Sequence, residues 1–272
     1  MPITADYHLH SSFSGDSDTP MEEMILGGIR EGLTQMCFTE HNDFDYPASP
    51  KEPENIFELN PDSYLYDFLK LKEKYASRMK LCFGLELGLQ PQIAKKNAAF
   101  AKAHAYDFII ASTHVCNGKD PYYPSFFEGR TQEEANREYF ESILENLKVF
   151  SNFDVYGHLD YVVRYGPRKD KDYNYEQYLD IIDKILEKLI DGGKGIEINT
   201  GSLSRGTLDV SPCSDIVYRF KELGGEIITV GSDAHTPNMV AADFDRATHV
   251  LAECGFRYYC TFEGRRPTFH RI

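Results

Sequence analysis

Seven short apolar runs, separated by amphipathic segments, constrain the fold of this chain more than any other feature. In chain order they are PITADYHL, TQMCFTEH, KLCFGLEL, YDFIIASTH, FDVYGHLD, KGIEINTG and EIITVGSDAH. Several of these runs are apolar at successive positions, which is typical of parallel strands that helices cover. The segments between them carry apolar residues at helical spacing, so the sequence predicts an α/β fold of alternating strands and helices.

Local signals predict where several of the helices begin. Thr19 is followed by a proline and is predicted to cap the first helix, since proline is favoured at the first helical position. Thr131 and Glu134 have the spacing of a capping box at the start of a long helix. Ser211, again followed by a proline, is predicted to open a later helix that stops before two glycines.

The length of 272 residues suits one barrel-sized domain, so we expect residues 1–272 to form a single domain. The chain has no apolar run of bilayer length, and its first residues, MPITADYHLH, lack the basic and apolar regions of a signal peptide. We therefore expect a soluble, cytoplasmic protein without a membrane partner. The six cysteines form no Cys-x-x-Cys pair, so we expect reduced thiols rather than disulfides or a thiolate zinc site.

The formal net charge of −14 is spread along the chain. A negative field of this kind repels phosphate backbones unless a basic patch overrides it. Nucleic acid is therefore not an expected partner. The oligomeric state is left open by the sequence.

Histidine and carboxylate side chains lie at the ends of the apolar runs. His8 and His10 end the first run, and because side chains alternate along a strand, both should point to the same side. In a parallel barrel the carboxyl ends of the strands meet at one mouth, where the reactive residues stand. The side chains predicted to converge there are His8, His10, Asp16, His41, Glu86, His114, His158, Asp233 and His235.

Each of these residues, taken alone, has an ordinary explanation. A lone histidine at a strand end is more often a hydrogen-bonded group than a metal ligand, and a lone carboxylate can cap a helix or pair with a cation. However, six of the nine histidines fall at these ends. Nine nitrogen and oxygen ligands exceed the needs of one ion, so the pattern predicts two or three divalent ions, with Glu86 as a candidate bridge. Zinc, iron and manganese all accept such ligands.

Two long segments, 42–61 and 115–129, follow the second and fourth apolar runs. Both are rich in proline and aromatic residues and are too long to be plain connectors. In a parallel barrel they would lie on the same rim, so we predict that they cover a pocket. Asn117 and Glu128 are candidates for contacts with the organic part of a substrate.

The motifs DYHLHSSFSGD, TEH, GLE, STH, GHLD and GSDAH, in this order, resemble those of the polymerase and histidinol phosphatase (PHP) superfamily. Further stretches, GHLDYVVRYG and GIEINTGSLSRG, resemble its histidinol-phosphatase branch. The resemblance implies a distorted TIM-like (β/α)7 barrel with a trinuclear metal site. It assigns His8, His10, Glu86 and Asp233 to the first ion, Glu86, His114 and His158 to the second, and Asp16, His41 and His235 to the third. Some members have histidine where Asp16 stands, and a carboxylate there favours a harder ion.

The same resemblance implies an activity, the hydrolysis of L-histidinol phosphate to L-histidinol and inorganic phosphate in histidine biosynthesis. The attacking group would be a hydroxide that bridges the metal ions, with Glu86, Asp233 and His235 as catalytic residues. Arg164 and Arg205 follow the fifth and sixth runs and would clamp the phosphate, because the arginine fork matches its oxygens. Alternatively, these arginines are surface residues paired with some of the 43 acidic side chains.

Two other functions fit the same residues. One is a related phosphoesterase that acts on phosphotyrosine protein or on nucleotides. The other is a non-catalytic metal-binding domain, whose signature would be missing ligands, although all nine are present here. Within the site, Asp160 either supports His158, donates a proton or has an ordinary turn or cap role.

Overall fold

Seven parallel strands in chain order form the centre of the protein. The computed structural model describes residues 3–48, 53 and 55–272. The strands are β1 (Ala5–Leu9), β2 (Gln35–Asn42), β3 (Lys80–Gly88), β4 (Phe108–Ser112), β5 (Val155–Tyr156), β6 (Gly195–Asn199) and β7 (Ile228–Gly231). Each strand pairs in parallel with the next one in the chain.

The two outer strands of this sheet meet and nearly close it into a barrel. Leu9 forms a parallel bridge with Ala234, just after β7. The amide of Asp233 donates to the carbonyl of His8 at 2.9 Å, and the amide of His10 donates to that of Ala234 at 3.0 Å. The predicted fold class, an α/β TIM-like barrel of seven strands, is thus confirmed.

Helices surround the sheet and alternate with its strands. They are α1 (Met21–Arg30), α2 (Pro61–Tyr75), α3 (Ala94–Ala103), α4 (Gln132–Val149), α5 (Leu179–Asp191), α6 (Gly201–Ser204), α7 (Ser214–Glu222) and α8 (Phe244–Glu253). The amphipathic pattern explains their position, as on α5, where Ile181, Ile185 and Leu189 are buried. None of the helices in the described part of the chain combines the length and the apolar character that a membrane span requires.

The predicted capping box of α4 is confirmed. The amide of Glu134 donates to the Thr131 hydroxyl at 3.1 Å, and the amide of Thr131 donates to the Glu134 carboxylate at 2.9 Å. Both partners lie in one helical turn, so local sequence is sufficient to specify this helix start.

The other two predicted helix starts are wrong, because tertiary partners take the capping side chains. α1 begins at Met21, and the Thr19 hydroxyl donates to the carbonyl of His235 at 2.8 Å. α7 begins only at Ser214. Ser211 instead pairs with the backbone of Asn199 next to β6 and donates its hydroxyl to a distant carboxylate.

A carboxyl-terminal β-hairpin, β8 (Tyr258–Glu263) and β9 (Arg266–Arg271), lies at the amino-terminal end of the barrel. The Phe262 carbonyl accepts a hydrogen bond from the Tyr7 hydroxyl at 2.7 Å, and the Phe262 ring lies 4.9 Å from that of Phe108. At the hairpin turn the Arg265 amide donates to the Asp107 carbonyl at 2.8 Å. The hairpin therefore covers the end of the barrel opposite to the predicted ligands.

We expect Arg265→Ala to lower the melting temperature, because Arg265 joins the hairpin to the start of two strands. Its guanidinium donates to the Asp154 carboxylate, which also accepts the Ile109 amide at 2.9 Å. A charged hydrogen bond of this kind contributes about 1.5 kcal/mol or more. Thermal denaturation checks the effect, with Arg266→Ala, an exposed position on the same hairpin, as the control. Equal melting temperatures for both variants and the parent would contradict this role.

Candidate metal centre

All nine predicted ligands lie in one cluster at the carboxyl ends of the barrel strands. Each of them has a nitrogen or oxygen atom within 3.9 Å of one belonging to another member. The contacts that connect the cluster are His8–Glu86 (3.1 Å), His10–Glu86 (3.5 Å), His41–Glu86 (3.0 Å), His114–Glu86 (3.3 Å), His158–Glu86 (3.0 Å), Asp233–His8 (3.8 Å), His41–Asp16 (3.7 Å) and His235–Asp16 (3.1 Å). The strand-end pattern therefore identified groups that meet in space.

Glu86 lies at the centre of this cluster and is fully buried. Its two carboxylate oxygens face different sets of histidines. Oε2 faces His8, His10 and His41, whereas Oε1 faces His114 and His158. This division is the geometry that a carboxylate bridging two cations needs.

The charges around Glu86 keep it ionised. Burial by itself raises the pKa of a carboxyl group, but the neighbouring histidines His8, His41 and His114 hold the pKa of Glu86 well below its usual value. An ionised carboxylate is also the form that binds a metal ion.

Several atoms of the cluster are buried but have no hydrogen-bond partner in the described part of the chain. They include Nε2 of His8, Nε2 of His10, Nδ1 of His41 and Oε2 of Glu86. Four groups of three side chains each bring their donor atoms within 4.8 Å of one another. Buried polar atoms are normally paired, and cations bound within these groups would satisfy them. The residues therefore fit divalent metal ions.

Neighbouring polar groups orient the histidines. The Nδ1 atom of His8 lies 2.6 Å from the Glu197 carboxylate, and that of His114 lies 2.7 Å from Asp43. The Nδ1 atom of His10 lies 3.0 Å from the Ser14 hydroxyl. Such contacts at one ring nitrogen fix the ring and leave the other nitrogen free to bind metal.

Sequence patterns did not predict Glu197 or Asp43 as parts of the site. Glu197 is the only charged residue in β6, and a lone carboxylate in a buried strand is a signal that could have found it. Asp43 follows the predicted ligand His41 by two residues, but nothing in the sequence shows that its partner is His114.

The histidines of the cluster differ in how readily they bind a proton. Burial lowers the pKa of both His8 and His10. For His8 the carboxylates Glu197 and Glu86 overcome this effect and raise its pKa well above the usual value. For His10 the neighbouring histidines add to it, and its pKa lies well below the usual value. A metal ion bound at His8 would compete with a proton there, so its affinity would fall in acid.

Backbone geometry also serves the cluster. His158 and Asp233 have positive φ angles of 22° and 55°, which are strained for residues with side chains. Gly231, two residues before Asp233, leaves room for other members, since a Cβ atom there would collide with His8 and Glu197. Glycine at this position is what allows the side chains of β1 and β6 to approach β7.

Two arginines lie beside the cluster and share one carboxylate. Arg164 is buried, and its two Nη atoms donate to Asp233 Oδ2 at 2.9 Å and to Asn199 Oδ1 at 2.7 Å. The Nη1 atom of Arg205 lies 3.4 Å from the same Asp233 oxygen, and its side chain is 33% exposed. The alternative of an ordinary surface arginine therefore does not describe Arg164.

A pocket lies over the cluster. It is lined by both arginines, by six of the predicted ligands, and by Asp43, Tyr46, Phe57, Asp120, Tyr161 and Tyr165. The prediction that both long segments cover a pocket is confirmed for the lining residues they contribute. Residues 49–52 and 54 of the first segment lie outside the described part of the chain.

Three further candidates lie elsewhere. Asn117 donates to Glu138 on α4 at 2.7 Å, and Glu128 is exposed, so neither lines the pocket. The Asp160 carboxylate accepts the Cys213 amide at 2.8 Å and a serine hydroxyl, which is a turn-supporting role. These polar residues have local or structural partners that sequence spacing could not reveal.

Comparisons with known proteins show which proteins this chain resembles. The family model described as PHP domain matches residues 6–201. A histidinol-phosphatase of Lactococcus lactis is 33% identical over 262 residues, which cover 96% of this chain and 95% of that protein. A probable histidinol-phosphatase of Clostridium acetobutylicum is 31% identical over 93% of this chain and 94% of its own length.

A solved structure shares the whole fold. It is the crystal structure of histidinol phosphate phosphatase from Lactococcus lactis in complex with zinc, L-histidinol and phosphate. Its TM-score to this chain is 0.87, with 32% sequence identity over 97% of this chain and 98% of that one.

We expect Glu86→Gln to reduce the number of bound divalent ions by at least one per chain, because the amide keeps the shape but removes the charge that two cations would share. Turnover of phosphate esters should fall by orders of magnitude while the fold persists. Elemental analysis and circular dichroism check this, with the exposed helix position Glu141→Gln as the control. A variant with its full metal content and near-normal turnover would show that the bridge has been misplaced.

Proposed function

The chain belongs to the PHP domain family, and from that premise we propose that it hydrolyses L-histidinol phosphate to L-histidinol and inorganic phosphate. The observation that carries the proposal is the match to the Lactococcus lactis enzyme, which extends over almost the full length of both chains. The crystal structure of that enzyme is a complex with zinc, L-histidinol and phosphate. A shared fold alone would not support a substrate, because one fold serves many activities. The reaction yields a precursor of histidine, and we place the enzyme in the cytoplasm with that biosynthesis.

The metal requirement follows from the ligand cluster. The family is metal-dependent, and the related crystal structure contains zinc. In our proposal the chain holds two or three ions of zinc, iron or manganese. His8, His10, Glu86 and Asp233 would hold the first, Glu86, His114 and His158 the second, and Asp16, His41 and His235 the third. The contacts of Glu86 Oε2 with His8 and His10 support the first set, and those of Oε1 with His114 and His158 support the second. Oε2 also lies 3.0 Å from Nδ1 of His41, which belongs to the third set.

Divalent ions in this position would neutralise phosphate charge and make hydroxide available from water near neutral pH. The chain itself supplies the groups that orient the substrate. Arg164 and Arg205 lie on the same side of the pocket and present guanidinium groups that match the non-bridging oxygens of a phosphate. Both are held by Asp233 Oδ2, so their positions relative to the metal ligands are defined.

Three ligands also take catalytic roles in this proposal. Glu86 would hold two ions at a fixed separation, and Asp233 would couple the arginines to the ions. His235 lines the pocket and contacts Asp16 at 3.1 Å, at the side of the cluster nearest to solvent.

We expect purified enzyme to contain two or three divalent ions per chain, to lose activity on chelation, and to cleave L-histidinol phosphate with far higher kcat/KM than nucleotides or phosphotyrosine peptides. Elemental analysis and a panel of phosphate esters check this. A better phosphotyrosine or nucleotide substrate would favour the related phosphoesterase. Fully folded, metal-loaded protein without phosphatase activity would favour the non-catalytic domain.

We expect Arg164→Ala and Arg205→Ala each to weaken the binding of substrate and of inorganic phosphate by roughly 1.5–3 kcal/mol, the contribution of a charged hydrogen bond, with the metal content unchanged. Lysine should restore binding only in part, since it keeps the charge but not the fork. Inhibition by phosphate measures the effect.

The control for this experiment is Arg219→Ala, which breaks an ion pair with Asp183 on the outer helices. It should bind phosphate as the parent does. If the pocket variants behaved in the same way, the arginines would have no part in phosphate binding.

A further inference from the structure

Glu40 is a buried carboxylate whose hydrogen-bond partners are serines of the loop after β1. It lies in β2, immediately before His41, and is fully buried. Its Oε2 accepts the Ser11 amide at 3.0 Å and the Ser14 hydroxyl at 2.6 Å, and its Oε1 accepts the Ser11 hydroxyl at 2.5 Å. Glu40 is not one of the predicted metal ligands, but Ser14 connects it to one of them.

The Ser14 hydroxyl has three partners but only one hydrogen. It donates that hydrogen to Glu40, and its oxygen accepts the amide of His41 at 3.0 Å. The third partner is the Nδ1 atom of His10, also at 3.0 Å. Because the hydroxyl hydrogen points to Glu40, the Nδ1 atom of His10 must carry a hydrogen of its own and donate it to the Ser14 oxygen.

This contact opposes the tautomer that the other side of the His10 ring favours. Nε2 of His10 lies 3.5 Å from Glu86 Oε2 and 3.6 Å from Asp233 Oδ1. Both carboxylates would attract a hydrogen on Nε2, and that hydrogen would block a metal ion. A neutral imidazole with its hydrogen on Nδ1 instead keeps a lone pair on Nε2, the nitrogen that faces the other predicted ligands.

The stacking of His10 on neighbouring rings cannot make this choice. The ring centroids of His41 and His235 lie 4.1 and 4.4 Å from that of His10, with interplanar angles of 14° and 25°. Stacking fixes the plane of the ring, but the hydrogen can occupy either nitrogen without a change of that plane. The tautomer therefore depends on the partners that lie in the plane of the ring, and Ser14 is the partner at Nδ1.

We propose that Glu40 is a positioning residue that acts through Ser14. By accepting the hydrogen bond of the hydroxyl, it keeps His10 in the tautomer with hydrogen on Nδ1, so that Nε2 can bind a metal ion. The proposal rests on the metal binding proposed above and assigns part of it to a residue that does not touch the metal. Loss of a partner of this kind lowers metal affinity by about 10- to 100-fold.

The first test reads the tautomer of His10 in the metal-free full-length chain at neutral pH. Proton–nitrogen correlation NMR of the imidazoles separates ring nitrogens with and without a hydrogen, and the loss of one signal in His10→Gln assigns it. In the parent the hydrogen should be on Nδ1. Ser14→Ala should move it to Nε2, whereas Ser14→Thr keeps the hydroxyl and should keep the parent tautomer.

Two variants of Glu40 separate its acceptor role from its charge and its volume. Glu40→Gln keeps an oxygen that can accept the Ser14 hydroxyl, so the hydrogen of His10 should stay on Nδ1. Glu40→Met fills the space without an acceptor and should give the same tautomer as Ser14→Ala. If Glu40→Met does not fold, the comparison of Ser14→Ala with Ser14→Thr still decides whether the hydroxyl sets the tautomer.

The second test measures zinc affinity by competition with a chelator, with elemental analysis of the bound metal. Ser14→Ala and Glu40→Met should each weaken zinc binding by about 10- to 100-fold. The double variant should be no weaker than the weaker single variant, because both changes remove the same link. Ser12→Ala, an exposed position in the same loop, is the matched control and should keep the parent tautomer and affinity.

The proposal is overturned if Ser14→Ala leaves the hydrogen of His10 on Nδ1, or if Glu40→Gln and Glu40→Met change the tautomer equally. It is also overturned if the tautomer moves and the zinc affinity does not. The ester panel tests the activity independently. A parent enzyme that bound zinc but preferred nucleotides or phosphotyrosine peptides would contradict the proposed function, and the role of Glu40 would stand.

Discussion

The site depends on one buried carboxylate, Glu86, surrounded by five histidines at the mouth of the barrel. Removing a carboxylate from water is costly unless positive charge or hydrogen bonds replace the lost hydration. Here protons on the imidazoles or metal ions can supply that charge. The stability of this end of the barrel is therefore coupled to what the cluster binds, since any ion that binds only the folded state stabilises it.

Asp233 joins the two halves of the pocket. Its Oδ1 atom faces His8 and His10, and its Oδ2 atom faces the two arginines. The strained backbone of Asp233 is supported by Asp6, whose carboxylate accepts the amide and hydroxyl of the preceding Ser232 at 3.0 and 2.6 Å. A single peptide turn thus positions both the predicted metal ligands and the two arginines, so neither set can shift without the other.

The sequence allowed the barrel and the ligand cluster to be predicted because both depend on periodicity along strands. His10 shows the limit of periodicity as a guide. It lies beyond β1, which ends at Leu9, yet His8 and His10 both face Glu86. Glu197 stands out as a lone carboxylate in a buried strand, but its partner His8 and the partner of Asp43, His114, lie far away in the chain and could not be predicted. The same reason explains Ser211, whose hydroxyl serves the tertiary structure instead of a helix start. Periodicity reports which side of an element is buried, but not which group it meets there.

The hairpin at the amino-terminal end of the barrel affects how metal ions and substrate reach the cluster. It lies over Tyr7 and Phe108, whereas the pocket opens onto the cluster at the opposite, carboxyl end of the barrel. Metal ions bound by the cluster and a substrate in the pocket would then use the same entrance. A phosphate bound between Arg164 and Arg205 would block this entrance and slow the dissociation of metal ions bound beneath it. The phosphate product of one turnover would in this way reduce metal loss until the next substrate binds.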